Sequence, residues 1–150
     1  MEIQIKKYHQ LSLDELYQIL KLRVDAFVVE QACAYPELDD ADQNATHLFI
    51  EKNQKVIGYL RLFQLKNGSA KISRVVTAKS ERGKGISRKL VDAALVQMKK
   101  ERQTESVVLQ SQEYLTDFYA SFGFEKTSEV YLEDGIPHVD MVLNFTSLHN

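Results

Sequence analysis

The stretch that most limits what this chain can fold into is ERGKGIS, Glu81 to Ser87, because of what lies on either side of it. Before it, Ala70 to Thr77 (AKISRVVT) is β-branched towards its end and reads as a strand. After it, Ile86, Leu90, Val91, Ala94, Leu95 and Met98 mark one face of a helix. A strand that enters a helix through two glycines sets a helix against a sheet, and the flanking segments decide which kind of sheet.

Residues 2–7 (EIQIKK) alternate as a short strand does. Ser12 and Glu15 form a capping box, and Leu16, Ile19, Leu20, Val24 and Phe27 behind it predict a helix over about 13–28. Residues 30–45 (EQACAYPELDDADQNA) lose that period and read as a long acidic loop. Residues 47–51 and 56–63 pair as strands, and Asn67-Gly68 supplies a second hairpin turn before the strand at 70–77. Beyond the central helix, Val107 to Leu109 suits a buried strand. Ser111 is the expected cap of a helix carrying Leu115, Phe118, Tyr119 and Phe122 and ended by Gly123. Two strands close the chain, around 124–132 and 138–145, with Asp134-Gly135 between them. Strands before and between helices predict an α/β or α+β domain, a mixed sheet of about six to seven strands flanked by helices.

Composition narrows the function classes. The 150 residues, 44% hydrophobic and 27% charged, suit a single domain over 1–150. A net charge of -2 argues against a general nucleic-acid binder, whose affinity comes from neutralising phosphates. One cysteine, Cys33, excludes a disulfide within the chain, fits a reducing compartment and is expected to be a buried spectator. MEIQIKKYHQ lacks the apolar core of a signal peptide, and no apolar run approaches the roughly 20 residues of a membrane span. The expectation is a cytoplasmic protein with no membrane partner.

Gly83 and Gly85 let backbone N–H groups approach a ligand, and the following helix offers unpaired amides and a partial positive charge suited to a pyrophosphate. Arg82, Lys84, Arg88 and Lys89 add cations at the same place, although they would equally solvate a helix face. A triphosphate loop needs G-x-x-x-x-G-K-S/T, but here the lysine sits between the glycines. A dinucleotide fold needs a third glycine where Arg88 stands. A coenzyme A site is the third phosphate reading.

Arg82-Gly83-Lys84-Gly85-Ile86-Ser87 resembles the Q/R-x-x-G-x-G/A signature of the GNAT acyltransferase superfamily, with Ser87 where Gly or Ala is usual. Downstream, Phe118-Tyr119-Ala120-Ser121-Phe122-Gly123-Phe124 resembles that family's FYxxxGF. Leu22 to Gln31 and Val130 to His138 are similar to its bacterial ElaA-like subgroup. The resemblance implies the GNAT fold, with a mostly antiparallel twisted sheet, and acetyl-CoA as acyl donor.

It also implies roles. The amides of residues 83 to 87 would hold the coenzyme A pyrophosphate, with Arg82 and Arg88 beside them. Val75, Val76 and Thr77 would pair with the pantetheine arm like an added strand, the Val76 amide polarising the thioester carbonyl. Gln112 stands where many relatives carry an asparagine near the donor. Tyr119 matches the family's general acid towards the departing thiolate; on its spacing alone it is a core residue of the stripe with Leu115, Phe118 and Phe122. Glu30 and His138 are candidate bases for the acceptor amine, beside a solvated carboxylate and a strand-end histidine as their plain structural readings, and ordered water is the third route. His47 carries no assignment beyond structure.

The acceptor implied is a small-molecule or peptide primary amine. Glu37, Asp39, Asp40 and Asp42 read as a solvated acidic edge that attracts such a cation. Asp40 to Glu51 partly imitates a calcium loop, but Ala45 stands in the required glycine position and a strand follows, so no metal is expected. A non-catalytic acyl-CoA-binding module is the alternative from another class. The final strands could pair with a second copy as a homodimer.

Overall fold

The computed structural model describes residues 1–101 and 103–145. In chain order the elements are β1 (Ile3–Lys7), α1 (Leu13–Arg23), β2 (Thr46–Lys52), β3 (Lys55–Gln64), β4 (Ser69–Thr77), α2 (Ile86–Lys100), β5 (Ser106–Gln112), α3 (Thr116–Ala120), β6 (Glu125–Lys126), β7 (Tyr131–Glu133) and β8 (Ile136–Asn144). The described strands form one sheet of order β1-β2-β3-β4-β5-β8-β6, with β7 also on β8. Pairing is antiparallel for β1–β2, β2–β3, β5–β8, β6–β8 and β7–β8, and parallel between Ser69–Lys71 of β4 and Ser106–Val108 of β5. This is the mixed sheet that the element order predicts, and it is mostly antiparallel as the GNAT resemblance implies.

The sheet has eight strands rather than six to seven. The strand expected over 124–132 is two short pieces, β6 and β7. Between them the Ser128 hydroxyl, in place of a backbone carbonyl, accepts from the Asp140 N–H at 2.9 Å, and the ladder is interrupted there.

By contact the chain divides into two compact units, residues 1–63 with 74–94 and residues 64–73 with 95–150. In the first, the capping box forms as read: Ser12 Oγ accepts from the Glu15 N–H at 3.0 Å, and Glu15 Oε1 accepts from the Ser12 N–H at 2.8 Å. α1 is shorter than the helix predicted over 13–28, because Val24–Glu30 widens into a π-helical turn. That wider winding places Ala26 and Phe27 together on a core of Ile19, Leu22, Phe49, Val56, Tyr59 and Val76. Asn53 and Gln54 both take positive φ (53° and 65°), the geometry of a tight two-residue hairpin turn between β2 and β3. The start of α2 packs closely on Gly58 in β3: a Cβ there would lie 2.4 Å from Ile86 Cγ2.

In the second unit β5 and β8 bury facing pairs, Val107 with Leu143 and Leu109 with Met141. Ser111 is not a helix cap. β5 continues through it, paired to Val139, and its hydroxyl donates to the Gln112 carbonyl at 2.8 Å. A 3-10 turn, Glu113–Leu115, then leads into the brief α3. Cys33, in no disulfide, is half-buried rather than fully buried. Among the described residues no helix is long and apolar enough to cross a membrane.

Candidate functional site

The loop between β4 and α2 is built by short-range contacts. Gly83 and Gly85 take φ of 81° and 75°, a backbone region that a Cβ disfavours, and no described atom lies within 4 Å of where either Cβ would be. The amides of this turn are therefore not covered from that side. α2 then begins at Ile86, which is buried, and the Lys89 N–H donates to the Gly85 carbonyl at 3.0 Å. The first turn of a helix leaves N–H groups without intrahelical acceptors, at the positive end of the helix dipole. Arg82, Lys84, Arg88 and Lys89 are all exposed around it.

Side chains fasten this loop to the end of β4. Thr77 Oγ1 and Ser87 Oγ lie 2.6 Å apart, within hydrogen-bond reach, and Arg82 Nε donates to the Thr77 carbonyl at 3.2 Å. The small hydroxyl at 87, where a glycine or alanine is usual in the resembling family, thus ties the helix start to the strand. Lys84 Nζ donates to Glu81 at 2.7 Å, and Lys52 donates to the other Glu81 oxygen at 2.9 Å. The Arg82 guanidinium also grips both oxygens of Glu30, at 2.6 and 2.8 Å. That hydrogen bonding holds the Glu30 carboxyl below the ordinary carboxylate range. Glu30 is placed as a clasp for Arg82, and a carboxylate so stabilised is a weaker base than a free one.

The acidic edge is solvated only in part. Glu37 and Asp42 are buried, and with Asp39 they pair with three arginines that sequence reasoning did not single out. Glu37 Oε2 accepts from Arg23 Nε at 2.7 Å and Arg74 Nε at 2.8 Å, while the Tyr35 hydroxyl donates to Oε1. Asp42 Oδ1 accepts from Arg23 Nη1 at 2.8 Å and Arg61 Nη1 at 2.9 Å, and Asp39 takes both terminal nitrogens of Arg61. Three guanidinium groups balance three carboxylates, so this loop offers little net field to a cationic acceptor; Asp39, though paired, and Asp40 are exposed, and the solvated reading fails for Glu37 and Asp42. Burial alone would raise the Asp42 carboxyl, but the bonds from Arg23 and Arg61 outweigh it and leave the carboxyl lowered.

His47 completes the cluster. It is fully buried, and its Nε2 lies 2.9 Å from the Asp42 carbonyl, which can only accept, so Nε2 carries the proton and Nδ1 accepts from the Tyr59 hydroxyl at 2.6 Å. Burial pushes its pKa down, so it stays neutral, consistent with a structural role. Local signs of this network were arginines set among apolar residues, such as Arg23, four residues from both Ile19 and Phe27.

Val75, Val76 and Thr77 form the end of β4. Val76 belongs to the core of the first unit and its two neighbours are half-buried.

Tyr119, Gln112 and His138 lie in the second unit. Tyr119 is 5% exposed and packs edge-to-face against Phe118 and Phe124, with ring centroids 5.0 and 6.0 Å away. Burial, with a smaller contribution from Tyr114, pushes its phenol well above the ordinary range, so it is protonated at neutral pH. Gln112, half-buried, ends β5 opposite His138. His138 Nδ1 lies 2.7 Å from the Ile136 carbonyl, and the ring stacks on Tyr131 at 6.1 Å. That is the arrangement of a strand-end histidine.

Over residues 14–145 the sequence matches the acetyltransferase (GNAT) domain family. It is 45% identical over 145 residues to a UPF0039 protein of Schizosaccharomyces pombe, spanning 95% of this chain and 97% of that protein. The crystal structure of Escherichia coli ElaA superposes with a TM-score of 0.89 at 34% identity, covering 95% of this chain and 99% of that one. An acyl-CoA N-acyltransferase from Pseudomonas aeruginosa superposes with a TM-score of 0.88 at 36% identity and the same coverage.

Proposed function

Because the chain belongs to the GNAT acyltransferase family, in its ElaA-like group, we propose that it moves an acetyl group from acetyl-CoA to a primary amine by direct attack in a ternary complex. The observation that carries the reading is the junction of β4 and α2. Two glycines at positive φ, open on the side a Cβ would fill, precede a helix start that cations surround. Such a junction suits a diphosphate, whose oxygens take N–H donors and a favourable dipole together.

The donor's nucleotide diphosphate would lie on the amides from Gly83 to Ser87, and its pantetheine arm would run along Val75 to Thr77. The Val76 N–H would donate to the thioester oxygen as negative charge develops there. The acceptor must lose a proton before it attacks, since an alkyl ammonium has a pKa of about 10.4 and no lone pair. With Glu30 occupied by Arg82 and lowered by it, solvent water is the better route for that proton. The neutral amine nitrogen then bonds to the carbonyl carbon and gives up its second proton to solvent, the carbon–sulfur bond breaks, and Tyr119 gives its phenol proton to the departing thiolate. Solvent returns that proton. The phenol enters the step protonated, but its raised pKa makes it a weaker acid than a free tyrosine, so its role as acid is supported by the family's FYxxxGF motif and not by the shift.

The test is a screen for thiol release from acetyl-CoA against an amine library, run with the Tyr119→Phe variant alongside. Tyr119→Phe is expected to bind acetyl-CoA normally and to turn over about 10²-fold or more slowly. Undiminished turnover in that variant removes the acid role. Binding of acetyl-CoA without thiol release across a broad library would mark the protein as an acyl-CoA-binding module.

A further inference from the structure

β4 contains one backbone outlier. Arg74 takes φ 56°, in the left-handed region, inside a strand. Residues other than glycine, asparagine and aspartate avoid that region, and such outliers persist where the surroundings over-determine them. Arg74 is held in this way. Its Nε donates to Glu37 Oε2 at 2.8 Å, and its Nη2 lies 3.5 Å from the Glu37 carbonyl and 3.6 Å from Asp39 Oδ2. Its guanidinium also lies over the Tyr35 ring, 5.8 Å from the centroid.

Glu37 is a fixed anchor. It is 3% exposed, its Oε2 also accepts from the fully buried Arg23, and its Oε1 accepts from the Tyr35 hydroxyl. The residues directly after this anchored position are Val75, Val76 and Thr77. Thr77 is fastened in turn, through its hydroxyl to Ser87 and its carbonyl to Arg82. The three-residue segment is thus pinned at both ends, in a strand that neighbours β3 in the sheet.

We infer that Arg74 and Glu37 are positioning residues for the acyl donor: the buried carboxylate holds Arg74 in its left-handed conformation, and that turn aims the backbone of Val75–Thr77 at the donor's arm. The inference rests on the donor reading above and adds residues outside its signature motifs. The Arg74 guanidinium is taken up by Glu37 and Asp39, so it acts through the backbone rather than by touching thioester or phosphate.

Arg74→Gly separates the conformation from its tether. Glycine accepts φ 56° freely, so the strand can keep its path, but nothing fastens it. Calorimetric titration of wild type and variant would use two probes: acetyl-CoA, and 3′-phosphoadenosine 5′-diphosphate, which is the same nucleotide without the pantetheine arm. The variant is expected to bind acetyl-CoA about tenfold more weakly, the equivalent of one or two backbone hydrogen bonds, and the nucleotide as wild type does. Unchanged acetyl-CoA affinity, or an equal loss for both probes, overturns the positioning role. Arg74→Asn, a residue that tolerates the same backbone region, carries the same expectations if the glycine variant does not melt cooperatively. Failure of the wild type itself to bind acetyl-CoA would remove the donor reading, whereas normal wild-type binding with an unaffected variant removes only the role of Arg74 and Glu37.

Discussion

Asp42→Asn tests whether the buried charges hold the first unit together. In the native protein Asp42 Oδ1 accepts from two guanidinium groups, and their owners, Arg23 and Arg61, are 0% and 3% exposed. Asparagine keeps the shape and an acceptor oxygen but removes one negative charge from a cluster of three against three, leaving a buried excess of one positive charge. Breaking a buried ion pair by removing one partner costs about 3–5 kcal/mol. Retention of the oxygen puts this case at the lower end, about 3 kcal/mol. For a chain of this size that corresponds to a fall in Tm of about 6–12 °C, readable by circular dichroism at pH 7. The pH dependence supplies a second readout. Asp39 is lowered chiefly by its hydrogen bonds from Arg61, and Asp42 is lowered because its arginine partners outweigh burial. A carboxyl with a depressed folded-state pKa contributes stability that is present above its unfolded value of about 3.9 and is lost as pH falls through the folded value. The Asp42 share is missing from the variant, so the gap in Tm between wild type and Asp42→Asn should narrow as pH falls below about 4. A drop of less than about 2 °C at pH 7, or a gap that ignores pH, would show that the arginines find equivalent partners and that the network is not held by its charge balance.

Gly58→Ala should destabilise although it adds a single methyl. The new carbon would lie 2.4 Å from Ile86 Cγ2 and 3.1 Å from Leu90 Cδ1, both on buried side chains, and overpacking of this kind costs about 1–3 kcal/mol, or about 5 °C in Tm. An unchanged melting curve would mean that α2 yields freely at its start. Glu51→Gln should do the reverse. The Glu51 carboxyl is raised by burial first and then by the charge of Glu15, so its ionisation opposes folding, and the stability it allows at low pH is lost as pH rises through the folded value. The variant should therefore melt above wild type at pH 7 and level with it near pH 4, and equal melting at pH 7 would contradict the like-charge contact.

What could be read from the sequence is what is decided within a few residues. The capping box at Ser12 and Glu15, the turn at Asp134-Gly135 and the strand–glycine–helix junction at 77–86 each place their own partners close by in the chain. Ser111 misled because a capping serine and a strand serine look alike until the partner strand is known, and here β8 claims it. The acidic loop misled for a deeper reason. The sign of a charge is local, but its solvation depends on partners that are 14 residues away for Glu37 and Arg23, 22 for Asp39 and Arg61, and 37 for Glu37 and Arg74. The clasp of Glu30 on Arg82 spans 52 residues and was equally invisible. Yet the demand for buried acids could have been inferred from the other side. Arg23 falls on an apolar helical stripe, Arg61 inside VIGYLRLF and Arg74 inside AKISRVVT, so three guanidinium groups are bound for the interior. A buried guanidinium is tolerated only when paired, and the carboxylates clustered over 37–42 are a supply that matches it. Charges inside apolar runs therefore say more about where an acidic loop must go than the loop's own composition does.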